Sequence, residues 1–302
     1  MMKKQFFHIC ADGEDARHFI IGRKDFLSAM NIVALCAAHN NVCVVAFALE
    51  DTHPHFLLFC TVEECSRFKA MFEDLYRRYA AETRKDGPKL ELHCEQYPIG
   101  DDEDYLRNVA VYTIFQPTKD GKRVMPYDYL WGTGSLYFRS GFYTPVWFFD
   151  ERGAICQPVC FGELSVQARR EMVHSRSLTL PDDWLVCNGV VLPTNYVDIA
   201  RFESIYQTHN CFRVFLGNSR KKEQEILLRM AKARGIMLED SEARDVCGTE
   251  CKIIFGTRDP RKLSSEQRIR LAQTLRSKYQ MTFRQIATCV RLPESEIRIY
   301  VP

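Results

Sequence analysis

Two histidines one residue apart are the side chains in this chain with the clearest capacity for chemistry. His53 and His55 open the second of two apolar runs in VVAFALEDTHPHFLLFC, Val44–Cys60. Because side chains alternate between faces along a strand, both imidazoles are predicted to project from one face. Such a pair could bind one divalent metal ion. It could equally be a hydrogen-bonded or solvated pair at the start of a strand, since two ligands alone do not define a metal site.

The elements around these histidines are predicted to follow the order β-α-β-β-α-β. The predicted strands are Gln5–Ala11, Val44–Leu49, the run from His53 to Phe59, and Lys89–Gln96; the predicted helices are Lys24–Ala38 and Val62–Lys85, with Asp86–Pro88 as the stop. This order is typical of an α+β ferredoxin-like fold, in which a four-stranded antiparallel sheet carries two helices on one face. The other face of that sheet is left without a cover.

A further helix is predicted directly after this unit. It begins behind the acidic run Asp101–Asp104, which suits the positive end of a helix dipole, and Pro117 is expected to end it. Tyr112 and Gln116 lie four residues apart and therefore share a face. Ordinary amphipathic packing would explain that face. If the helix instead covers the open side of the sheet, Tyr112 and Gln116 reach the histidines and add a phenol nucleophile and a third ligand.

The C-terminal end of the chain is basic. Residues 252–302 contain eleven Lys and Arg but only four Asp and Glu, while the whole chain has a net charge of +2. Such a local excess indicates a polyanionic partner, most simply nucleic acid. Short helices at 281–290 and 294–301, behind a supporting helix at 264–279, are typical of a helix-turn-helix, although a generic three-helix cap would look alike. If these helices are a helix-turn-helix, Arg284, Arg291 and Arg298 are the expected DNA contacts, and the last helix enters the groove.

Composition limits the remaining possibilities. The chain has 302 residues with 46% hydrophobic content and no apolar run long enough to span a membrane, so no membrane partner is expected. Thirteen cysteines are scattered through apolar segments, which predicts free thiols and a cytoplasmic protein. The C-x3-C pairs Cys156/Cys160 and Cys247/Cys251 lack the usual spacing and a second pair, and zinc is not favoured there.

Three parts are predicted along the chain. Residues 1–140 form the ferredoxin-like domain with its extra helix, residues 141–250 a linker and small mostly helical domain, and residues 251–302 a DNA-binding helix-turn-helix domain. The central part carries no motif that indicates a function.

Three segments, in this order, resemble one protein family. ALEDTHPHFLL, YLRNVAVYTIFQP and PYDYLW are together similar to the REP-associated tyrosine transposases, part of the HUH single-tyrosine transposase group. The resemblance covers roughly residues 5–140. It implies that His53, His55 and Gln116 are ligands of Mg²⁺ or Mn²⁺ and that Tyr112 is the nucleophile.

The sequence departs from the family pattern at two positions. Pro54 stands between the histidines where a bulky apolar residue is usual, so the strand is expected to start at His55 or to bulge. Phe115-Gln116-Pro117 replaces a frequent Leu-Asn-Pro, and the longer amide can still coordinate through its oxygen. These departures leave open a chain that keeps the fold and DNA binding without catalytic activity.

The resemblance implies transesterification of single-stranded or hairpin DNA through a 5′-phosphotyrosine intermediate, by a monomer or homodimer. Two other functions remain open. The first is a catalytically inactive DNA-binding regulator derived from a transposase. The second is a metal-dependent nuclease that uses water, in which Tyr112 is only structural.

Overall fold

The structure is a computed structural model that describes residues 3–11, 18–84, 89–119, 124–139, 146–149, 152–233, 240–279 and 281–301. The chain divides into two compact units, residues 1–223 and 224–302. This division concerns packing, and the assignment of three functional parts stays a prediction. Among the described helices, none is long and apolar enough to cross a membrane.

The first unit begins with the predicted β-α-β-β-α-β order. Its elements are β1 (Gln5–Ala11), α1 (Arg23–Asn40), β2 (Cys43–Leu49), β3 (Pro54–Cys60), α2 (Val62–Thr83) and β4 (Cys94–Pro98). The four strands form an antiparallel sheet in the order β2-β3-β1-β4. β3 and β1 are therefore the central strands. From His55 to Phe59 the histidine strand pairs with a neighbouring strand on both sides, which holds its side chains in position.

Two strand predictions need correction. The fourth strand lies at Cys94–Pro98 rather than Lys89–Gln96, because its ladder with β1 begins where Cys94 pairs with Ala11. Leu90 and Leu92 are buried and alternate with exposed residues as in a strand, but they precede the residues that pair with β1. β3 begins at Pro54 rather than His55, and Pro54 is tolerated because it is the first residue of the strand. The irregularity in this hairpin lies instead in β2, between Val44 and Ala46.

The two faces of the sheet carry different helices. Phe56 packs against Phe68 and Phe72 of α2, with ring centroids 5.4 and 5.0 Å apart. The preceding residue, His55, projects from the opposite face and meets Tyr112 of α3 (Glu103–Lys119). The helix that follows the fourth strand therefore covers the face left open by the α1–α2 layer.

α3 continues two residues beyond Pro117, so the prediction that this proline ends the helix is wrong. A proline removes one backbone N–H and disturbs the turn before it. Pro117 cannot donate to the carbonyl of Thr113, and the helix nevertheless continues to Lys119.

The segment after α3 covers the outer edge of β2. The backbone N–H of Leu49 donates to the carbonyl of Trp131 at 2.8 Å, and the Tyr129 hydroxyl donates to the carbonyl of Leu49 at 2.6 Å. Gly132 allows the close approach, since a Cβ there would lie 3.0 Å from the carbonyl oxygen of Phe47. An exposed edge strand is thereby capped, and the end of β2 that precedes Glu50 is held in place.

The rest of the first unit contains a small sheet and three helices. Their bounds are α4 (Val166–Val173), α5 (Ile199–Tyr206) and α6 (His209–Ala233), with strands β5 (Val159–Cys160), β6 (Leu185–Cys187) and β7 (Val190–Val191). β6 and β7 form a hairpin, which turns at Asn188 and Gly189, both at positive φ. α6 starts at His209, and its C-terminal part belongs to the second unit.

The second unit is helical. It contains α7 (Asp240–Phe255), α8 (Ser265–Tyr279), α9 (Phe283–Val290) and α10 (Glu294–Tyr300). Thr282 caps α9 in a capping box with Gln285, and Arg291 ends that helix in the left-handed conformation at φ 60°. Ile286, Val290 and Ile297 lie in one buried core. The predicted short helices and their tight turn are therefore present, while their role in DNA binding stays a prediction.

Candidate metal and tyrosine site

The hairpin between β2 and β3 brings three metal-binding side chains together. The donor atoms of Glu50, His53 and His55 all lie within 4.8 Å of one another. The backbone N–H of Glu50 donates to the carbonyl of His53 at 3.1 Å, which closes the turn. The ring centroids of His53 and His55 are 4.6 Å apart, so the predicted pair shares one side of the sheet. We refer to these three residues as the hairpin cluster.

A second group of donors lies on the neighbouring strand β1. Cys10 stands opposite His55 in the β1–β3 ladder, and His8 projects from the same face two residues earlier. The donor atoms of His8, Cys10 and His55 also lie within 4.8 Å of one another, and all three residues are buried. His55 therefore belongs to both groups and is the central residue of the site.

His8 restrains the orientation of His55. Its Nε2 lies 3.2 Å from Nδ1 of His55. Burial, with a smaller contribution from the charge of His53, lowers the pKa of His8 to about 3, so this imidazole is neutral. A neutral His8 can accept the Nδ1 proton of His55, and the lone pair of His55 Nε2 is then available to a metal ion.

Tyr112 of α3 lies against this pair of histidines. Its ring stands edge-on to His8 and His55, with centroids 5.8 and 5.7 Å away. The side chain is almost completely covered, with 4% exposure. Burial, and then the nearby Cys10, raises the pKa of the Tyr112 phenol above its usual value, while the side chain of Gln116 acts in the opposite direction.

Gln116 lies one helical turn after Tyr112 and is 2% exposed. Its side-chain contact with the phenol follows from the i, i+4 spacing on the buried face of α3. The structure therefore brings all four predicted site residues, His53, His55, Tyr112 and Gln116, into one region above the sheet. The roles of these residues as ligands and nucleophile stay predictions.

The donor set fits a divalent metal ion. Glu50 is completely buried, and a buried carboxylate beside two imidazoles is an arrangement that a cation stabilises. Two nitrogen ligands with one carboxylate suit Mn²⁺ and other transition metals better than Mg²⁺, which prefers oxygen ligands and near-ideal octahedral geometry.

Local sequence patterns do not predict three members of this site. Glu50 lies three residues before His53, in the polar break between the two apolar runs. His8 and Cys10 lie in the predicted first strand. Their alternate spacing was the available signal, because β1 is the neighbour of the histidine strand in the predicted topology.

The predicted DNA-binding arginines lie in the second unit, and all three are exposed. Arg298 forms an ion pair with Glu294 of the same helix at 2.7 Å and lies over the ring of Phe283. Arg284 lies on α9, while Arg291 follows it and lines a cavity. The last helix thus presents its arginine already paired with a carboxylate.

No known protein family and no curated protein matches the chain. Among solved structures, a REP-associated tyrosine transposase bound to a REP hairpin is similar at 15% sequence identity. The similarity covers 48% of this chain and 86% of that chain, with a TM-score of 0.33. The relationship is distant, and the chemistry of the site has to be judged from its own side chains.

Proposed function

We propose that the chain is a metal-dependent DNA strand transferase in which Tyr112 is the nucleophile. The observation that carries the proposal is the position of the Tyr112 ring, edge-on to His55, the residue common to both groups of metal donors. A phenol beside a prepared cation site has the parts that covalent attack on a phosphodiester requires. The ordered motifs of the sequence support the same chemistry.

The chemical step exchanges one phosphodiester for another. The Tyr112 oxygen attacks phosphorus, a bond forms between them, and the bond from phosphorus to the 3′-oxygen breaks. The phenol proton passes to water admitted with the DNA, and the departing 3′-oxygen takes up a proton. The products are a 5′-phosphotyrosine link and a 3′-hydroxyl, which can reverse the step on the same or another strand.

Glu50, His53 and His55 are the residues that would hold the metal ion, with Gln116 as the further ligand predicted from the sequence. When bound, the ion would supply positive charge to the scissile phosphate. His8 keeps His55 in one orientation. The neighbouring Gln116 side chain lowers the pKa of the phenol, which burial raises.

Single-stranded or hairpin DNA is the proposed substrate. A base-paired strand would not reach a phenol that lies between a helix and a sheet. Because Tyr112 is 4% exposed, a strand must displace the residues that cover it before attack. The basic residues of the second unit would supply affinity for the phosphate backbone.

The test is formation of a covalent adduct. The full chain is incubated with Mn²⁺ and a library of labelled hairpins with randomised single-stranded flanks, denatured, and analysed for DNA that stays attached. We expect attached DNA with the native chain and with Tyr105→Phe, a matched buried tyrosine on the same helix, and none with Tyr112→Phe. Absence of any adduct from the library overturns the proposal, and cleavage that survives Tyr112→Phe indicates a nuclease that uses water.

One observation favours a second candidate function. The deep burial of Tyr112 and its raised pKa are what a packing residue would show, and they fit a DNA-binding regulator without catalytic activity. This function predicts that the native chain and Tyr112→Phe both bind hairpins of the same library without forming a covalent product.

A further inference from the structure

The second unit contains a cavity of about 400 Å³ whose wall carries an unusual concentration of arginine. It lies between α7, the 3₁₀ turn Pro260–Lys262 and the C-terminal end of α9. The lining residues are Arg244, Cys247, Gly248, Arg258, Asp259, Pro260, Arg261, Thr288, Cys289 and Arg291. We call this the arginine cavity.

Among the described residues that line the arginine cavity, Asp259 is the one acidic residue, and it is paired with Arg261. Asp259 accepts from the backbone N–H of Arg261 at 3.1 Å and from its Nε at 3.0 Å. These hydrogen bonds from Arg261 lower the pKa of Asp259, which therefore stays ionised and paired. In the part of the chain that the structure describes, Arg244, Arg258 and Arg291 form no ion pair with a carboxylate. Three arginines therefore line the cavity without a carboxylate in ion-pair contact among the described residues.

Two cysteines on the cavity wall lie near these arginines. The hydrogen bond with Cys247 lowers the pKa of the Cys289 thiol, the charges of Arg244 and Arg291 act in the same direction, and burial and Asp240 oppose them. A polyvalent anion would be stabilised by the same charges.

Gly248 leaves room beside one of these arginines. A Cβ built at this position on α7 would meet the carbonyl oxygen of Arg258 at 3.5 Å and its Nε at 3.6 Å, which is ordinary contact. The absence of a side chain here keeps the guanidinium of Arg258 accessible from the cavity. A carboxylate introduced at residue 248 would therefore lie beside Arg258.

We propose that the arginine cavity binds a phosphate group through Arg244, Arg258 and Arg291. Guanidinium groups bind phosphate oxygens in pairs, and three of them around a small concave site match a phosphate better than a carboxylate. The group belongs either to a nucleic acid strand or to a free nucleotide, which share this chemistry. The site goes beyond the strand-transfer function and does not require Tyr112.

The test compares two substitutions at one position, in the full chain carrying Tyr112→Phe so that no strand transfer occurs. Gly248→Asp lowers the positive charge of the cavity by one unit without removing an arginine, and Gly248→Ala adds the same Cβ without charge. The probes are inorganic pyrophosphate, a deoxynucleoside triphosphate and a ten-nucleotide single strand, measured by calorimetry. We expect Gly248→Asp to weaken pyrophosphate binding by about tenfold or more, while Gly248→Ala binds as the starting protein does.

Removal of the arginines provides the second measurement. Arg244→Gln with Arg258→Gln should reduce pyrophosphate affinity in the same way, whereas Arg270→Gln, an exposed arginine on α8 outside the cavity, should not. If the variants bind pyrophosphate and the single strand more weakly but the triphosphate as before, the ligand is backbone phosphate. If they bind pyrophosphate and the triphosphate more weakly but the single strand as before, the ligand is a nucleotide. Equal binding of all three probes by Gly248→Asp and Gly248→Ala overturns the proposal.

Discussion

The hairpin cluster and the arginine cavity position their charged side chains in opposite ways. In the first, Glu50 and His55 are buried and lie at the end of two paired strands. In the second, exposed arginines from separate helices and turns surround open space. Metal coordination depends on short distances between a few donors, which a strand ladder can fix. Phosphate binding depends mainly on the sum of positive charge, which tolerates flexible side chains.

The largest effect that separates the two regions is expected at His55. Because His55 belongs to both donor groups, His55→Ala should reduce Mn²⁺ affinity by about a hundredfold or more and leave pyrophosphate binding unchanged. Manganese binding is measured by electron paramagnetic resonance, with exposed His93→Ala as the control. If His55→Ala retained native Mn²⁺ affinity, neither donor group would be the metal site.

Glu50→Gln is expected to have the next largest effect. The amide keeps the shape of the buried side chain but removes its charge, so Mn²⁺ affinity should fall by about tenfold to a hundredfold. Without metal, the free energy of unfolding should stay equal or rise, because a buried charge is no longer desolvated. Calorimetric melting with and without Mn²⁺ measures both changes. A large loss of stability without metal would mean that Glu50 serves the fold instead.

A smaller effect is expected at His8, which acts on the site through His55. His8→Ala removes the acceptor 3.2 Å from His55 Nδ1 and should weaken Mn²⁺ binding by about tenfold. His8→Gln, which restores a hydrogen-bonding group, should recover part of the loss. Equal metal affinity for the native chain, His8→Ala and His8→Gln would show that His55 is held by the sheet alone.

The sequence could predict the elements that local patterns determine. Apolar periodicity predicts β1 with its observed bounds, Gln5–Ala11. It also predicts a helix after the fourth strand, and Tyr112 of this helix contacts His55 as expected. The exact ladder could not be read in this way. Leu90 and Leu92 alternate like strand residues although pairing with β1 starts only at Cys94.

Long-range partners were the other part that local patterns left out. His8 and Glu50 become recognisable as site residues only when strand order and the closed hairpin are known. The arginine cavity was not predicted either, since Arg244 and Arg291 are 47 positions apart in the sequence and meet only through the folding of α7 against α9. Charge counting identified the basic end of the chain but not its concave site.

The smallest expected effect concerns the helix predicted to enter a DNA groove. Glu294 pairs with Arg298 at 2.7 Å, so Arg298→Gln should change the affinity for single-stranded DNA by less than about twofold. Arg284→Gln removes an exposed charge of α9, and it should lower the salt dependence of binding by about 0.7 in the log–log slope if that residue contacts a phosphate. Fluorescence anisotropy at several salt concentrations measures both. A greater loss from Arg298→Gln than from Arg284→Gln would mean that the strand displaces Glu294 from Arg298 and that α10 contacts the DNA directly.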